Sequence, residues 1–171
     1  MRLFIAVNVN EATRSALASL QTELRTTAAR GRFSAQENLH LTLVFLGECD
    51  PTQTAAARSA VERVRFSSFP LIIDRLGRFR RDGGEIWWAG VEASEPLLAL
   101  QRNLTKALQV EGFQLESRKY MPHITLAREL VTTEKEKTIS PFGETVTKID
   151  LMKSEYIQGK LTYTAIYSIQ G

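Results

Sequence analysis

The feature that most constrains this chain is a four-residue pattern that occurs twice, once in each half. His40-Leu41-Thr42-Leu43 and His123-Ile124-Thr125-Leu126 contain the only two histidines of the chain. The chain has 16 threonines and 20 leucines among 171 residues. On this composition, the probability that both histidines are followed by Thr at the second position and Leu at the third is on the order of one in ten thousand. The tetrads lie 83 residues apart, close to half the chain length, and each follows a predicted helix and loop. We therefore expect two pseudo-equivalent lobes, each with one half-site facing a central cleft.

Each tetrad alternates polar and apolar residues, which predicts a β-strand. Residues i and i+2 of a strand project from the same face, about 6.6 to 6.8 Å apart. Each histidine is therefore expected beside its threonine, with the intervening apolar residue on the other face. The same parity predicts that Phe45 packs on the core side, away from His40, and that Arg128 lies on the face opposite His123.

Two imidazoles and two hydroxyls match the needs of cyclic phosphodiester hydrolysis. The reaction needs a base for water, an acid for the departing ribose oxygen and donors for the non-bridging oxygens. Histidine can be acid or base near neutral pH, and threonine donates a hydrogen bond without adding charge. Because the tetrads look equivalent, these residues alone do not say which histidine is the acid.

Two other interpretations of the histidines have less support. A single histidine in an apolar strand usually has a structural role, but two identical tetrads reduce the weight of that interpretation. Histidine is also the commonest metal ligand. Neither tetrad supplies a carboxylate within its strand, and Cys49 is the only cysteine, so we expect no metal and no other cofactor.

Basic and aromatic residues near the tetrads are candidates for substrate contacts. Arg128 could neutralise phosphate charge as a bidentate donor, although strand parity predicts it on the face opposite His123. Of Trp87 and Trp88, which face opposite ways in a strand, at most one can stack on a base. Five cations could form a rim that meets an RNA backbone, or be solvated loop charges: Arg78, Arg80, Arg81, Arg118 and Lys119.

The remaining pattern predicts an α+β chain in which strands and helices alternate without a glycine-rich phosphate motif. Asn10 and Asp50 are expected helix caps, the latter followed by Pro51. Helices are expected at about 11–28, 51–65 and 95–112, and strands at about 2–8, 39–47, 71–79, 85–92, 123–127, 146–156 and 161–169. Residues 30–37 and 129–144 are expected to be loops. No linker divides residues 1–171, so we expect a single two-lobed domain.

Composition restricts the environment and the partners. A single cysteine permits no intrachain disulfide, which favours the reducing cytoplasm. The apolar start before Asn8 is too short for a signal peptide or a membrane span and is expected to be a strand. A formal net charge of +3 permits an anionic partner without requiring one. We expect a monomer with no membrane partner.

Three strings carry a resemblance to a known family: RLFIAV at 2–7, ENLHLTLVFLG at 37–47 and PHITLAR at 122–128. They resemble the two-histidine phosphoesterase superfamily with its HxTx motifs, and within it the LigT-like RNA 2',3'-cyclic phosphodiesterases. The resemblance implies a bilobal α+β fold, with antiparallel sheets facing a central cleft and helices outside. It also implies metal-independent conversion of RNA 2',3'-cyclic phosphate ends, tRNA fragments among them, to 2'-phosphomonoesters.

The resemblance also implies the direction of proton transfer. His40 would be the proton donor to the leaving 3' oxygen, and His123 the proton acceptor that activates water, with Thr42, Thr125 and Arg128 binding phosphate. Some relatives join tRNA halves through a 2',5' bond, so weak ligase activity is a candidate reverse reaction. Two alternatives stay open: a phosphodiesterase for a small cyclic nucleotide or an ADP-ribose cyclic phosphate, and an RNA-end-binding module without turnover.

Overall fold

The computed structural model describes all 171 residues as three α-helices, one short 3-10 turn at Gln36–Asn38 and nine strands. The helices are α1 Glu11–Thr27, α2 Pro51–Arg63 and α3 Glu95–Val110. The strands are β1 Arg2–Asn8, β2 Ala28–Phe33, β3 His40–Glu48, β4 Phe69–Phe79, β5 Glu85–Val91, β6 His123–Thr132, β7 Lys137–Val146, β8 Lys148–Ile157 and β9 Lys160–Gln170.

Two of the helices begin at the caps that the sequence predicts. The Asn10 side chain accepts a hydrogen bond from the Thr13 backbone N–H, and Asp50 and Gln53 form a reciprocal capping box. Proline at the first position of α2 leaves no helical hydrogen bond unmade. Each helix buries one side, as Leu17 and Leu24 do for α1. The helices are thus amphipathic supports for the sheets.

The strands form two antiparallel sheets, which confirms the expected α+β class. One sheet has the order β3-β1-β8-β9, and the other has the order β2-β6-β5-β4-β7. The first tetrad opens β3, at an edge of the first sheet, and the second opens β6, between β2 and β5. Helix α3 contacts β3 of one sheet and β4 of the other. One cluster of 34 buried residues includes members of both sheets and all three helices, so the lobes share a core.

Two segments expected to be loops are strands. Residues 28–33 form β2 at one edge of the five-stranded sheet, and residues 137–146 form β7 at the other. Edge strands expose polar side chains, which hides the alternation that marks a half-buried strand. Pro141 is tolerated in β7 because the pairing with β4 is interrupted between Thr138 and Phe142. Composition was therefore a misleading guide at both edges.

Both tetrad strands contain a bulge directly after the tetrad threonine. Thr42 pairs with Ala6 and Val44 with Ile5, so the residue between, Leu43, has no partner on β1. The bulge of β6 repeats this geometry. There Thr125 pairs with Trp88 and Ala127 with Trp87, and Leu126 is the extra residue. An extra residue reverses the side-chain parity of the residues that directly follow it, up to the next irregularity of the strand.

The reversed parity corrects two expectations. Phe45 pairs with Phe4, is 52% exposed and does not pack in the core. Ala127 shares the core face of its partner Trp87, which is fully buried, so the following residue, Arg128, lies on the face of His123. Phe45 and Arg128 both stand five residues after a tetrad histidine and are equivalent positions of the two half-sites.

Candidate active site

His40 is held in one tautomer by its own chain. Its Nδ1 lies 2.7 Å from the Asn38 carbonyl oxygen, which can only accept, so Nδ1 carries a proton. Its Nε2 lies 2.8 Å from Thr42 Oγ1. In the neutral imidazole Nε2 accepts from the threonine hydroxyl. The imidazole and hydroxyl of the first tetrad are thus in contact, as the strand parity predicts.

His123 repeats this arrangement in the second sheet. Its Nδ1 lies 2.6 Å from the carbonyl oxygen of Met121, again two residues before the histidine. Nδ1 is therefore the protonated nitrogen of the neutral ring, and Nε2 is left for chemistry. Thr125 lies two residues further on the same strand, on the face of His123, and forms no hydrogen bond with it. The second half-site is the more open of the two.

Each imidazole packs between two aromatic rings. His40 contacts Phe4 and Tyr163, with ring centroids 4.9 and 5.2 Å away. His123 contacts Phe79 and Trp88 at 5.1 and 5.9 Å. Trp88 lies on the face of His123 and Trp87 on the core face, but Trp88 is only 6% exposed and Trp87 is fully buried, so neither indole is open for stacking on a base.

Gly77, opposite Trp88 on β4, leaves room for that indole, since a Cβ there would overlap its six-membered ring. The aromatic neighbours fix both imidazole planes.

Burial lowers the pKa of both histidines below the ordinary value of 6.5. The carbonyl bonds from Asn38 and Met121 oppose this shift because they favour the charged ring. A proton on His123 further lowers the pKa of His40, so the imidazoles lie within electrostatic range of each other. Both rings favour the neutral form at neutral pH, and the pair resists holding two protons at once.

Arg128 brings positive charge to both half-sites. Its guanidinium lowers the pKa of His40, His123 and Tyr163, which places it near both tetrads. Arg128 has no carboxylate within 4 Å, whereas Arg78 pairs with Glu85 and Arg118 with Glu116. Arg80, Arg81 and Lys119 of the expected rim are exposed and also have no ion pair. Among the candidate cations, Arg128 is the one whose charge lowers the pKa of both histidines.

Two side chains that the sequence analysis missed tie the half-sites together. The Tyr120 hydroxyl, three residues before His123, donates to the Thr42 carbonyl oxygen at 2.7 Å. The Ser34 hydroxyl, six residues before His40, donates to the Thr125 carbonyl oxygen at 3.1 Å. Burial raises the pKa of Tyr120, so its hydroxyl stays a donor. The sequence shows a tyrosine three residues before the second tetrad, but it does not show that this tyrosine bonds to the strand of the first tetrad.

No group of three or more His, Cys, Asp or Glu side chains is arranged to hold a metal ion. None of the helices has the length and hydropathy needed to cross a membrane.

Known proteins resemble the chain in sequence and in fold. The profile of the 2'-5' RNA ligase superfamily matches residues 9–156. A Thermotoga maritima protein named RNA 2',3'-cyclic phosphodiesterase is 36% identical over 131 residues, 75% of this chain and 70% of the relative. An Escherichia coli K12 protein of the same name is 32% identical over 141 residues, covering 80% and 77%. The crystal structure of E. coli LigT complexed with 3'-AMP has a TM-score of 0.85 at 26% identity, covering 99% of this chain and 97% of LigT.

The segment matched by the superfamily profile contains both histidine tetrads and both bulges. The fold likeness extends over nearly the whole chain and includes both antiparallel sheets. The chain therefore belongs to the 2'-5' RNA ligase superfamily, as a LigT-like two-histidine phosphoesterase.

Proposed function

We propose that the protein hydrolyses RNA 2',3'-cyclic phosphate ends to 2'-phosphomonoesters without a metal ion. The observation that carries the proposal is the pair of imidazoles, each with Nδ1 bound to a carbonyl and within electrostatic range of the other. The names of the relatives from Thermotoga maritima and E. coli support the same reaction. Action on tRNA fragments, a monomeric state and a cytoplasmic location complete the proposal.

The proposed reaction is one in-line displacement at phosphorus. His123, neutral at Nε2, takes a proton from water while the water oxygen bonds to phosphorus. The bond from phosphorus to the 3' oxygen breaks, and His40 in its charged form gives that oxygen a proton. The phosphate stays on the 2' oxygen, and the proton balance is closed because one imidazole gains what the other loses.

The tetrad threonines and Arg128 are the proposed donors to the non-bridging oxygens. Thr42 donates to His40 Nε2 in the resting structure. Once His40 is charged, Nε2 carries its own proton and the hydroxyl of Thr42 is released to donate to phosphate. Thr125 is free of its histidine from the start. Protonation of His40 would thus prepare the acid and a phosphate ligand together.

The same residues would also suit three other roles. A small cyclic nucleotide or an ADP-ribose cyclic phosphate presents the same reacting group, and the reverse reaction would join RNA ends through a 2',5' bond. An RNA-end-binding module without turnover would need the same phosphate donors. The similar LigT structure holds 3'-AMP, a single nucleotide, so the catalytic residues do not by themselves select a long substrate.

The test is an assay of chelator-treated protein on 2',3'-cyclic mononucleotides and on an oligoribonucleotide with a cyclic end. Hydrolysis to the 2'-phosphate should survive EDTA. Activity that is lost to EDTA and restored by a divalent ion would remove the metal-free mechanism, and binding without turnover would support the module.

The assignment of acid and base has a sharper test, which changes the leaving atom. His40→Ala should recover much of its lost rate on an analogue whose 3' leaving atom is sulfur, because a thiolate departs without a proton. His123→Ala should show no such recovery, because the water still needs a base. Equal recovery, or recovery of His123→Ala alone, would reverse the two roles.

A further inference from the structure

The bulges make Phe45 and Arg128 equivalent positions, but the two half-sites use them differently. Arg128 brings a cation to the second tetrad directly. Phe45 brings an exposed ring, and the Arg2 guanidinium lies over that ring, 5.0 Å from its centroid. Arg2 is exposed and has no carboxylate within 4 Å, although its neighbour Met1 pairs with Glu48 through the terminal ammonium. The first half-site thus has an uncompensated cation stacked on an aromatic ring.

A second exposed ring extends this surface. Tyr156 is 74% exposed and stands near the end of β8, just before the β8–β9 turn. It pairs with Leu161, while Tyr163 pairs with Ser154 and Ser154 with Arg2. Cross-strand partners share a face. Tyr156, Tyr163 and Arg2 therefore lie on one face of the sheet.

That face is the face of the catalytic cleft. Tyr163 contacts the His40 ring at 5.2 Å, and Phe4, the partner of Phe45, contacts it at 4.9 Å. The positive charge of Arg2 lowers the pKa of Tyr163, while Tyr156 raises it, so both lie within range of its hydroxyl. Arg2, Phe45 and Tyr156, hereafter the aromatic strip, thus lie on the face of the first half-site, and neither ring of the strip packs on the His40 imidazole.

Exposed aromatic rings next to an unpaired guanidinium are what single-stranded nucleic acid binds. Bases stack on the rings whatever their sequence, and the cation meets the phosphates. A membrane or protein contact would account for exposed rings but not for their position beside the half-site that receives a phosphate. An RNA with its cyclic end between the histidines must leave the cleft across its open rim, and the strip forms rim on the His40 side.

We propose that the aromatic strip binds the RNA nucleotides that precede the cyclic end, so that the enzyme prefers an oligoribonucleotide to a cyclic mononucleotide. This inference rests on the proposed function and adds a substrate length to it. Arg2 supplies charge to a backbone phosphate, and the rings of Phe45 and Tyr156 supply stacking surface.

The test compares kcat/KM for an oligoribonucleotide with a 2',3'-cyclic end and for the matching cyclic mononucleotide. In Phe45→Ser and Tyr156→Ser, the ratio of the two should fall by about 5- to 160-fold, the range expected for one lost base stack. In Arg2→Gln the ratio should fall most at low salt, and the salt dependence for the oligonucleotide should weaken by about one counterion. Val110→Ser is the matched control, because Val110 is 79% exposed at the end of α3 and should leave the ratio unchanged.

The outcomes separate this inference from the proposed function. A wild-type protein that hydrolyses both substrates equally well would overturn the inference and leave the proposed function intact. So would variants that lose activity on both substrates by the same factor, because the strip would then only support the fold. A protein inactive on both substrates would contradict the proposed function first.

Discussion

At the scale of single residues, the backbone holds each histidine in the tautomer that the proposed proton transfer needs. Both Nδ1 atoms are bound to the carbonyl of the residue two positions earlier, Asn38 in one strand and Met121 in the other. A carbonyl holds the Nδ1 proton in the neutral and the charged ring alike. Proton exchange is therefore confined to Nε2, and neither side chain has to turn between giving and taking a proton.

The threonine hydroxyls should be worth more to the rate than to the fold. Thr42→Val and Thr125→Val each remove one proposed donor to phosphate, and loss of such a donor typically costs about 10² to 10³ in kcat. Thr42→Ser and Thr125→Ser keep the hydroxyl and are the controls, expected to retain most of the rate. Steady-state kinetics on a cyclic nucleotide make the comparison. Wild-type turnover in both valine variants would mean that the hydroxyls are structural.

Removing the charge of Arg128 should raise the pKa of both histidines. Its guanidinium lowers both in the wild type, so Arg128→Gln should move both titrations to higher pH, together with the acidic and basic limbs of kcat/KM. With only two histidines, the imidazole signals can be followed directly by NMR. Arg118→Gln, at an exposed arginine paired with Glu116, is the matched control and should shift neither. Unshifted titrations in Arg128→Gln would place Arg128 outside the site.

Strand parity predicts the site correctly up to the bulge and fails beyond it. The alternation alone predicts that each histidine shares a face with its threonine, and the structure agrees, although only His40 is hydrogen-bonded to its threonine. The alternation predicts the wrong face for Phe45 and Arg128 because one extra residue, Leu43 or Leu126, reverses it. Two apolar residues in a row, Leu43-Val44 and Leu126-Ala127, are the local signal of the bulge, but a fully buried strand has the same pattern.

At the scale of elements, the segments that precede β3 and β6 fix the position of one half-site relative to the other, because each bonds to the strand of the opposite half-site. The segment before β3 bonds to β6 through Ser34, and the segment before β6 bonds to β3 through Tyr120. Gln21, buried on α1, adds a bond to the Leu126 carbonyl oxygen at 3.0 Å. Helix boundaries and the central strands could be predicted from caps and periodicity. These ties could not, because they join residues about 80 to 105 positions apart.

Tyr120→Phe should weaken the tie between the lobes while keeping the packing of the ring. Loss of one hydrogen bond typically lowers the free energy of unfolding by about 0.5 to 1.5 kcal/mol. Because the bond fixes the strand of His40 and Thr42, we also expect kcat to fall more than KM rises. Tyr167→Phe is the control, since the Tyr167 ring packs under Arg58 and its hydroxyl has no hydrogen bond. Urea unfolding and steady-state kinetics measure the two effects. Equal changes in both variants would show that the tie has no special role.

At the scale of the whole molecule, the proposed catalysis and the stability of the fold depend on the same two imidazoles. The lobes share one core, so the cleft faces are held at a fixed separation and the histidines stay partly buried between them. Burial lowers both pKa values, which keeps the pair neutral at rest and also makes protonation unfavourable in the folded state. The arrangement that suits the chemistry therefore carries a stability cost in acid.

The sign of that cost gives a prediction for unfolding. Both folded pKa values lie below 6.5, the value for an unfolded chain, so the histidines contribute no pH dependence well above pH 6.5. As pH falls below 6.5, the unfolded chain binds protons first, and stability is lost until the pH passes below the folded pKa values. Each histidine then contributes a slope of up to about 1.4 kcal/mol per pH unit.

The double variant His40→Gln with His123→Gln should therefore have a flatter stability profile between pH 6.5 and the folded pKa values than the wild type. Urea unfolding in half-unit pH steps measures it, and the comparison uses the slope, because glutamine can change the absolute stability by altering the packing. At pH 8 the two proteins should show the same slope, which is the internal control. Carboxyl groups titrate alike in both proteins and cancel in the difference. Parallel profiles through the acid range would mean that the imidazoles are as easily protonated in the fold as in the unfolded chain, and the burial argument would fail.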